Sequence, residues 1–354
     1  MSKRVFLTLS LLVALLVSSI VGLGAWAWHT THLSFRGYES SQIVVSIPLG
    51  QGAQQILDNL ENSGVIRHAV LARAYLQLVL KSPSLRAGEY RFDTPLNTPQ
   101  VLAKLTSGKV VVHPVTILEG LTIEETARHL ASAGFGRLDT LLRLVSSPEL
   151  IADWDPEATD LEGYLFPETY SFARGTPEEV VVRSMVETFK ERWEALPEII
   201  APPGDRSLRQ VVTLASIVEK EAQADKERAV IAGVYAHRLR IGMALYADPT
   251  VIYGLKLLKM WNGNLRRDDL QIDSPYNTYR NAGLPPGPIA SPGFASLKAA
   301  AAPADVSYLY FVSRNDGTHV FADSLAEHNR NVYRWQKLYW RKRWAEDAKK
   351  KAER

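Results

Sequence analysis

Val115-Thr-Ile-Leu-Glu-Gly120, followed by Ile123-Glu-Glu-Thr-Ala-Arg-His-Leu130 and Ala133-Gly-Phe135, repeats a pattern laid down seventy positions earlier. The earlier copy is Val44-Val-Ser-Ile-Pro-Leu-Gly50, Ala53-Gln-Gln-Ile-Leu-Asp-Asn-Leu60 and Ser63-Gly-Val65. Each copy reads as an extended apolar run, a glycine turn, an amphipathic helix and a glycine stop. Glycine suits a turn with positive φ and the C-cap of a helix. Leu57 and Leu60 align with Ala127 and Leu130 on the packing face. Between the copies, Arg67 to Leu80 is helical by period, and Gly88-Glu-Tyr-Arg-Phe92 alternates like a strand. Val110-Val-Val112 leads into the second copy. Short strands and helices interleaved in this way predict an α+β fold.

The N-terminal side of the repeat has a different character. Met1-Ser-Lys-Arg4 precedes a run from Val5 to Trp28 without a charged residue. Roughly 20 apolar residues cross a bilayer as a helix, so residues 5–28 are expected to form a transmembrane helix. Lys3 and Arg4 keep residues 1–4 in the cytoplasm by the positive-inside rule. Trp26 and Trp28 fall at the outer interface. A cleaved signal peptide is the alternative, but the run exceeds the usual apolar length and has no small-residue cleavage motif. Residues 29–42 read as a polar tether and 43–155 as a small α+β region containing the repeat. An Asp- and Pro-rich loop, Asp153 to Asp160, leads into a mixed α+β domain at 156–340, and 341–354 form a basic tail.

The chain has 354 residues, is 46% hydrophobic and 22% charged, and carries a formal charge of +3. It is long enough for two or three small domains, and its charge balance does not suggest nucleic-acid binding. No cysteine is present, which excludes thiol chemistry, disulfides and Cys-ligated metals. The eight histidines form no HExxH or similar spacing, so no metal and no cofactor is expected.

The chemistry concentrates in Leu214-Ala-Ser-Ile-Val-Glu-Lys-Glu221. Leu208, Val211, Val212, Ala215, Val218 and Ala222 make one apolar helical stripe, and the helix is expected to start near Leu208 and continue through Arg228 to Leu239. Glu219 lies at the edge of the stripe beside Ala215 and Ala222, whose small side chains leave room for a ligand. Burying a carboxyl is unfavourable without a partner or a function, and desolvation lets a carboxyl keep its proton near neutral pH and donate it. Glu221, two positions on, points elsewhere, and Lys220 reads as solvated.

Other stretches punctuate the second half. Leu161-Glu-Gly-Tyr-Leu-Phe-Pro-Glu-Thr-Tyr170 is dense in aromatics. Thr176 and Pro177 read as the cap and first turn of a helix carrying Val180, Val181, Met185, Phe189 and Trp193. Pro202-Pro-Gly204 breaks the chain. Gly242 ends a helix, and Asp248-Pro-Thr250 reads as a helix cap and first turn. Ser274-Pro-Tyr-Asn-Thr-Tyr279 and Gly283-Leu-Pro-Pro-Gly-Pro-Ile289 are rigid polar and aromatic loops of the kind that carry binding residues. Ser307 to Val312, the turn Asp316-Gly-Thr-His319 and Val320-Phe321 predict a hairpin that leads to a last helix. From Arg334 to Arg354 there are nine Lys or Arg against three Asp or Glu, with Trp335, Trp340 and Trp344 among them. A solvated helix extension is the preferred reading there, and contact with anionic headgroups or wall polymer the alternative.

These stretches resemble the endolytic murein transglycosylases, the YceG-like or MltG family. Glu162 to Tyr170, Ala215 to Glu221, Arg238 to Met243, Asp248 to Gly254, Tyr276 to Tyr279 and Gly283 to Ile289 carry the likeness over most of the chain. The small α+β region is similar in pattern to LysM wall-binding modules, and a packing and spacer domain is the alternative reading. The resemblance implies a membrane-anchored enzyme of the bacterial inner membrane with its catalytic domain outside the cytoplasm. Its substrate would be peptidoglycan glycan strands, cut between N-acetylmuramic acid and N-acetylglucosamine to leave a 1,6-anhydro end and terminate nascent strands. Glu219 matches the family's catalytic glutamate. Glu162, Tyr164, Glu168, Glu221, Asp248, Tyr276, Asn277, Thr278 and Tyr279 are the expected substrate-binding residues, with Asn277 and Thr278 near the acetamide. At position 168 the family often has Asp, and Glu168 keeps the charge but not the length. Peptidoglycan synthases are the implied partners, and no nucleic acid is. The rival readings are a hydrolase using Glu219 with Glu221, Glu168 or Asp248, a non-catalytic wall-binding scaffold, and a peptidase, for which no signature is present.

Overall fold

Alternating inward residues start the fold at Ile43. The computed structural model describes residues 3–196, 206–341 and 343–344. The chain divides into two compact units, Met1–His113 with Ser171–Gly175, and Pro114–Tyr170 with Thr176–Arg354. The two copies of the repeat therefore lie in different units. The Pro202-Pro-Gly204 break, Met1, Ser2 and the tail 345–354 lie outside the described residues.

In the first unit the apolar run becomes helix α1 (Lys3–His32). Leu7–His32 is long and apolar enough to cross a membrane, with a mean hydropathy of 2.3; Thr31, in its last turn, is buried. The helix passes the expected end at 28. Thr31 Oγ1 donates to the Ala27 and Trp28 carbonyls, and the His32 ring stacks on Trp28 with centroids 4.0 Å apart. The following polar stretch is pinned: Phe35 N–H donates to Leu96 O at 3.0 Å and Gly37 N–H to Gly64 O at 2.8 Å. Strand β1 (Ile43–Ile47) pairs antiparallel with β2 (Gly88–Phe92), Val45 opposite Tyr90. Helices α2 (Ala53–Asn62), α3 (Ala69–Leu78) and α4 (Thr98–Ser107) complete the unit. Val45, Ile47, Leu57, Leu60, Tyr90 and Leu102 share its core. Burying an aliphatic side chain of this size is worth about 1.5–3 kcal/mol.

The second unit begins within β3 (His113–Thr116). Helix α5 (Ile123–Ser132) has the ten-residue length of α2. Ala127 and Leu130 are buried as Leu57 and Leu60 are, and the paired glycines agree: Gly50 and Gly120 at φ +82 and +75, Gly64 and Gly134 at +70 and +79. Only the second copy has a capping box, Thr122 with Glu125, worth about 1 kcal/mol. Helix α6 (Leu138–Val145), strand β4 (Thr169–Phe172) and helix α7 (Glu178–Glu194) follow. Pro177, not Thr176, is the N-cap of α7.

Helix α8 (Leu208–Glu221) starts from a Ser207–Gln210 capping box and stops at Ala222, whose backbone turns extended. The single helix expected to run to Leu239 is instead two, because a 3₁₀ turn, Asp225–Glu227, precedes α9 (Arg228–Arg240). The break sets Arg228 at the head of a new helix. Helix α10 (Asp248–Leu257) has Ala247 as its N-cap, so Asp248 is its first residue and not its cap. Helix α11 (Phe294–Ala301) packs on α8 and α9. Strands β5 (Tyr310–Ser313) and β6 (His319–Ala322) form the expected hairpin, and α12 (Leu325–Val332) starts at Ser324. The architecture is mixed α+β with small two-stranded sheets.

Candidate active site

Helical spacing turns the two acids of α8 to different sides. Val211, Val212, Leu214, Ala215, Ile217 and Val218 are buried, which anchors the helix and fixes where Glu219 projects. Its side chain is 6% exposed. Oε1 accepts from Arg228 Nη1 at 3.1 Å, and Oε2 accepts from the Gly293 backbone N–H at 3.0 Å. Gly293 is the N-cap of α11, and a helix N-terminus favours a negative group. Arg228 is held in turn by Ser296 Oγ at 2.6 Å and Asp225 Oδ1 at 3.1 Å. Glu219 therefore has the polar partners of a carboxylate rather than only the apolar surroundings its flanking residues suggest.

Glu219 lines an open groove of about 560 Å³ with Thr116, Leu118, Glu119, Pro167 and Glu168. Glu119 is the second carboxyl. Its side chain is 51% exposed, with Oε2 4.0 Å from Arg228 Nη2. Burial, and then the charge of Glu219, push its pKa up against the pull of Arg228. A Cβ on residue 293 would lie 1.8 Å from Glu119 Oε1. Glycine at 293 thus lets one backbone position donate to Glu219 and make room for Glu119. The loop carrying Glu119 is tied down: Gly120 N–H donates to Ser291 O, Ser291 N–H to Leu121 O, and Lys220 Nζ to Gly120 O at 3.1 Å. Lys220, expected to be only solvated, is one of these ties.

Of the other expected residues, Glu168 reaches the groove. It is paired with Arg192 at 2.9 Å, and Ile117 N–H donates to its carbonyl. Glu162 is buried and does not line the groove. Its carboxyl accepts from Ile123 N–H at 3.2 and 3.3 Å and from Tyr253 Oη at 3.1 Å, and burial raises its pKa to about 8. Tyr164 is buried and donates to Asp155 Oδ2 at 2.5 Å, which Arg209 also pairs at 2.7 Å. Asn277 and Thr278 are buried as well. Asn277 Nδ2 donates to Leu270 O and Ile272 O, and Thr278 Oγ1 accepts from Ala247 N–H. These four side chains build the frame, because their polar atoms serve protein partners. Tyr276 packs on Tyr253 with centroids 4.8 Å apart. Glu221, Asp248 and Tyr279 gather in a separate pocket behind α8.

Glu119, Arg228 and Gly293 were not among the expected site residues. A signal for Glu119 exists: it occupies the repeat position that Leu49 holds in the first copy. An acid where the duplicate has a leucine marks a changed role. Nothing local marks Arg228 or Gly293, since the helix break and the approach of α11 bring them in. Among the described residues, no group of three or more His, Asp or Glu could hold a metal ion.

The YceG-like family model matches residues 45–334. An endolytic murein transglycosylase of Bacillus subtilis (strain 168) is 31% identical over 309 residues, covering 81% of this chain and 82% of that protein. An endolytic murein transglycosylase of Streptococcus pneumoniae serotype 2 is 28% identical over 325 residues, covering 82% of this chain and 58% of that protein. The crystal structure of a YceG-like protein from Listeria monocytogenes shares 33% identity with a TM-score of 0.56, and the match covers 82% of this chain and 99% of that one. The chain belongs to the YceG-like family.

Proposed function

We propose that this protein is an endolytic murein transglycosylase that cuts peptidoglycan glycan strands without water, with Glu219 as its acid–base group. The observation that carries this reading is a nearly enclosed carboxyl, held by Arg228 and the Gly293 N–H, in the wall of an open groove. The homologous transglycosylases support it.

Glu219 protonates the leaving oxygen as the bond from the muramic acid C1 breaks. The C6 hydroxyl of the same sugar then attacks C1, and the Glu219 carboxylate takes its proton. One group serves both steps because its charge alternates, and the product is a 1,6-anhydro end. The 2-acetamido oxygen assists at C1 as in substrate-assisted enzymes. Because Arg228 donates to Glu219, protonating that carboxyl displaces a charge-assisted bond. Glu119, held towards its protonated form in the same groove, is the reservoir Glu219 draws on. α1 anchors the enzyme in the cytoplasmic membrane with the remaining chain outside, where it cuts nascent strands beside the synthases.

Glu219→Gln should lower glycan cleavage by at least about a hundredfold, the lower scale of acid–base effects, while the protein still folds and melts cooperatively. Retained cleavage in that variant rejects the assignment. The Glu119 carboxyl gives hydrolysis a second acid, so hydrolysis is the competing reading. Mass spectrometry of the cut strands separates the two: anhydro ends indicate transglycosylation, and reducing ends without them indicate hydrolysis.

A further inference from the structure

The pocket behind α8 is a built cavity that the cleavage reaction does not use. It encloses about 660 Å³ within the second unit, bounded by α9, the start of α10, the β5–β6 hairpin and α12. That volume is within the range of small-ligand sites. Glu221 lies in its wall, and Tyr235 Oη donates to Glu221 Oε1 at 3.2 Å. Across from it, Tyr279 Oη donates to Asp248 Oδ1 at 2.6 Å. The second oxygen of each carboxyl accepts nothing from the described residues. His328, stacked on Tyr310 with centroids 5.1 Å apart, leaves Nδ1 without a partner.

Tyr246 marks the mouth. It sits at φ +49, in the left-handed region that non-glycine residues avoid. Its neighbours impose that conformation. The buried Arg238 donates to the Leu245 carbonyl, Ala247 N–H donates to Thr278 Oγ1 at 3.0 Å, and Tyr246 N–H reaches Thr278 O at 3.3 Å. Strain kept in place by surrounding bonds points to a use for the side chain. Tyr246 is 46% exposed, with the Arg238 guanidinium 5.9 Å from its ring centroid and the Tyr279 ring at a steep angle to it, centroids 5.3 Å apart.

We propose that this pocket seats a neutral pyranose ring, a second saccharide site apart from the groove of Glu219. The partly exposed Tyr246 ring in the pocket lining suits the C–H face of a sugar, and the free carboxylate oxygens of Glu221 and Asp248, with the exposed Asn329 amide, match its hydroxyls. A charged guest fits less well. Arg238 already compensates one acid inside the pocket, and an anion would meet Asp248. Burial, and then the Asp248 charge, raise the Glu221 pKa to about 7, so the two acids do not present two full charges to a cation. The inference rests on the reading that the substrate is a glycan, since a polymer cut in the groove has further rings to seat.

The test titrates tetra-N-acetylchitotetraose, a neutral N-acetylated oligosaccharide, into the full chain in detergent micelles by calorimetry. Tyr246→Ala and Asn329→Ala should each weaken binding by about tenfold or more, and Tyr246→Phe, which keeps the ring, should bind like the parent. Glu219→Gln should bind the probe as the parent does. Parental affinity in both alanine variants overturns the proposal. So does no binding to the parent at millimolar probe, or tighter capture of lysinamide than of the oligosaccharide. If Tyr246→Ala loses the probe while Glu219→Gln still cuts glycan, the pocket stands and the catalytic assignment falls.

Discussion

Glu219 and Glu119 share a groove but are held differently, and their roles follow from that. Both oxygens of Glu219 accept hydrogen bonds from positions the fold fixes. Glu119 is half exposed and stands farther from Arg228, and burial, then its acidic neighbour, raises its pKa above the usual carboxyl value. Neighbouring acids with unlike surroundings differ in how readily they hold a proton, so one can resupply the other. Glu119→Gln is expected to slow cleavage by less than the roughly hundredfold loss of a full acid–base group and to change the alkaline limb of the pH–rate profile. A variant with the parental rate and the parental profile would remove Glu119 from the mechanism.

Among the elements, α5 depends on a buried acid. Ile123, its first residue, donates its N–H to Glu162, whose pKa burial raises to about 8. An unfolded glutamate titrates near the usual carboxyl value, so the folded state holds this proton more tightly. Its contribution to stability is full below about pH 4.3 and is lost as pH rises towards 8, on the order of 1.4 kcal/mol per pH unit. Glu162→Gln copies the protonated form. Thermal melts should show the variant close to the parent at pH 5 and more stable than it at pH 8. Equal losses between those two pH values in both proteins would show that Glu162 does not carry this dependence. The same element shows the reach of sequence patterns: Ala127 and Leu130 fall inward as their spacing requires, while the acid that meets the helix end arrives from 39 residues away.

At the scale of the whole molecule, one long apolar helix opens the first unit. Its last turn is not free, because the Trp28 and Tyr75 rings lie 6.3 Å apart and the His32 and Tyr75 rings 5.7 Å. A chain starting at residue 25 keeps these contacts and loses most of the apolar span. Membrane fractionation should find the full chain in the pellet after an alkaline wash and the shortened chain in the supernatant. A shortened chain that stays in the pellet would show that another part of the molecule binds the membrane.

Local spacing alone determined the apolar N-terminal helix, the duplicated strand–turn–helix unit, the last hairpin and the presence of Glu219 on a helix. Each depends on periodicity or turn chemistry within about a dozen residues. It failed where chain breaks depend on packing. The helix from Leu208 to Leu239 reads as continuous, yet the chain turns at Ala222 and brings Arg228 back to Glu219. Tertiary structure also decided which acids act together. Glu119 joins Glu219 across one hundred residues, while Glu221, two residues away, faces another cavity. The physical reason is that period sets the face of a helix on which a side chain lies, and only the packing of distant segments sets what that face meets.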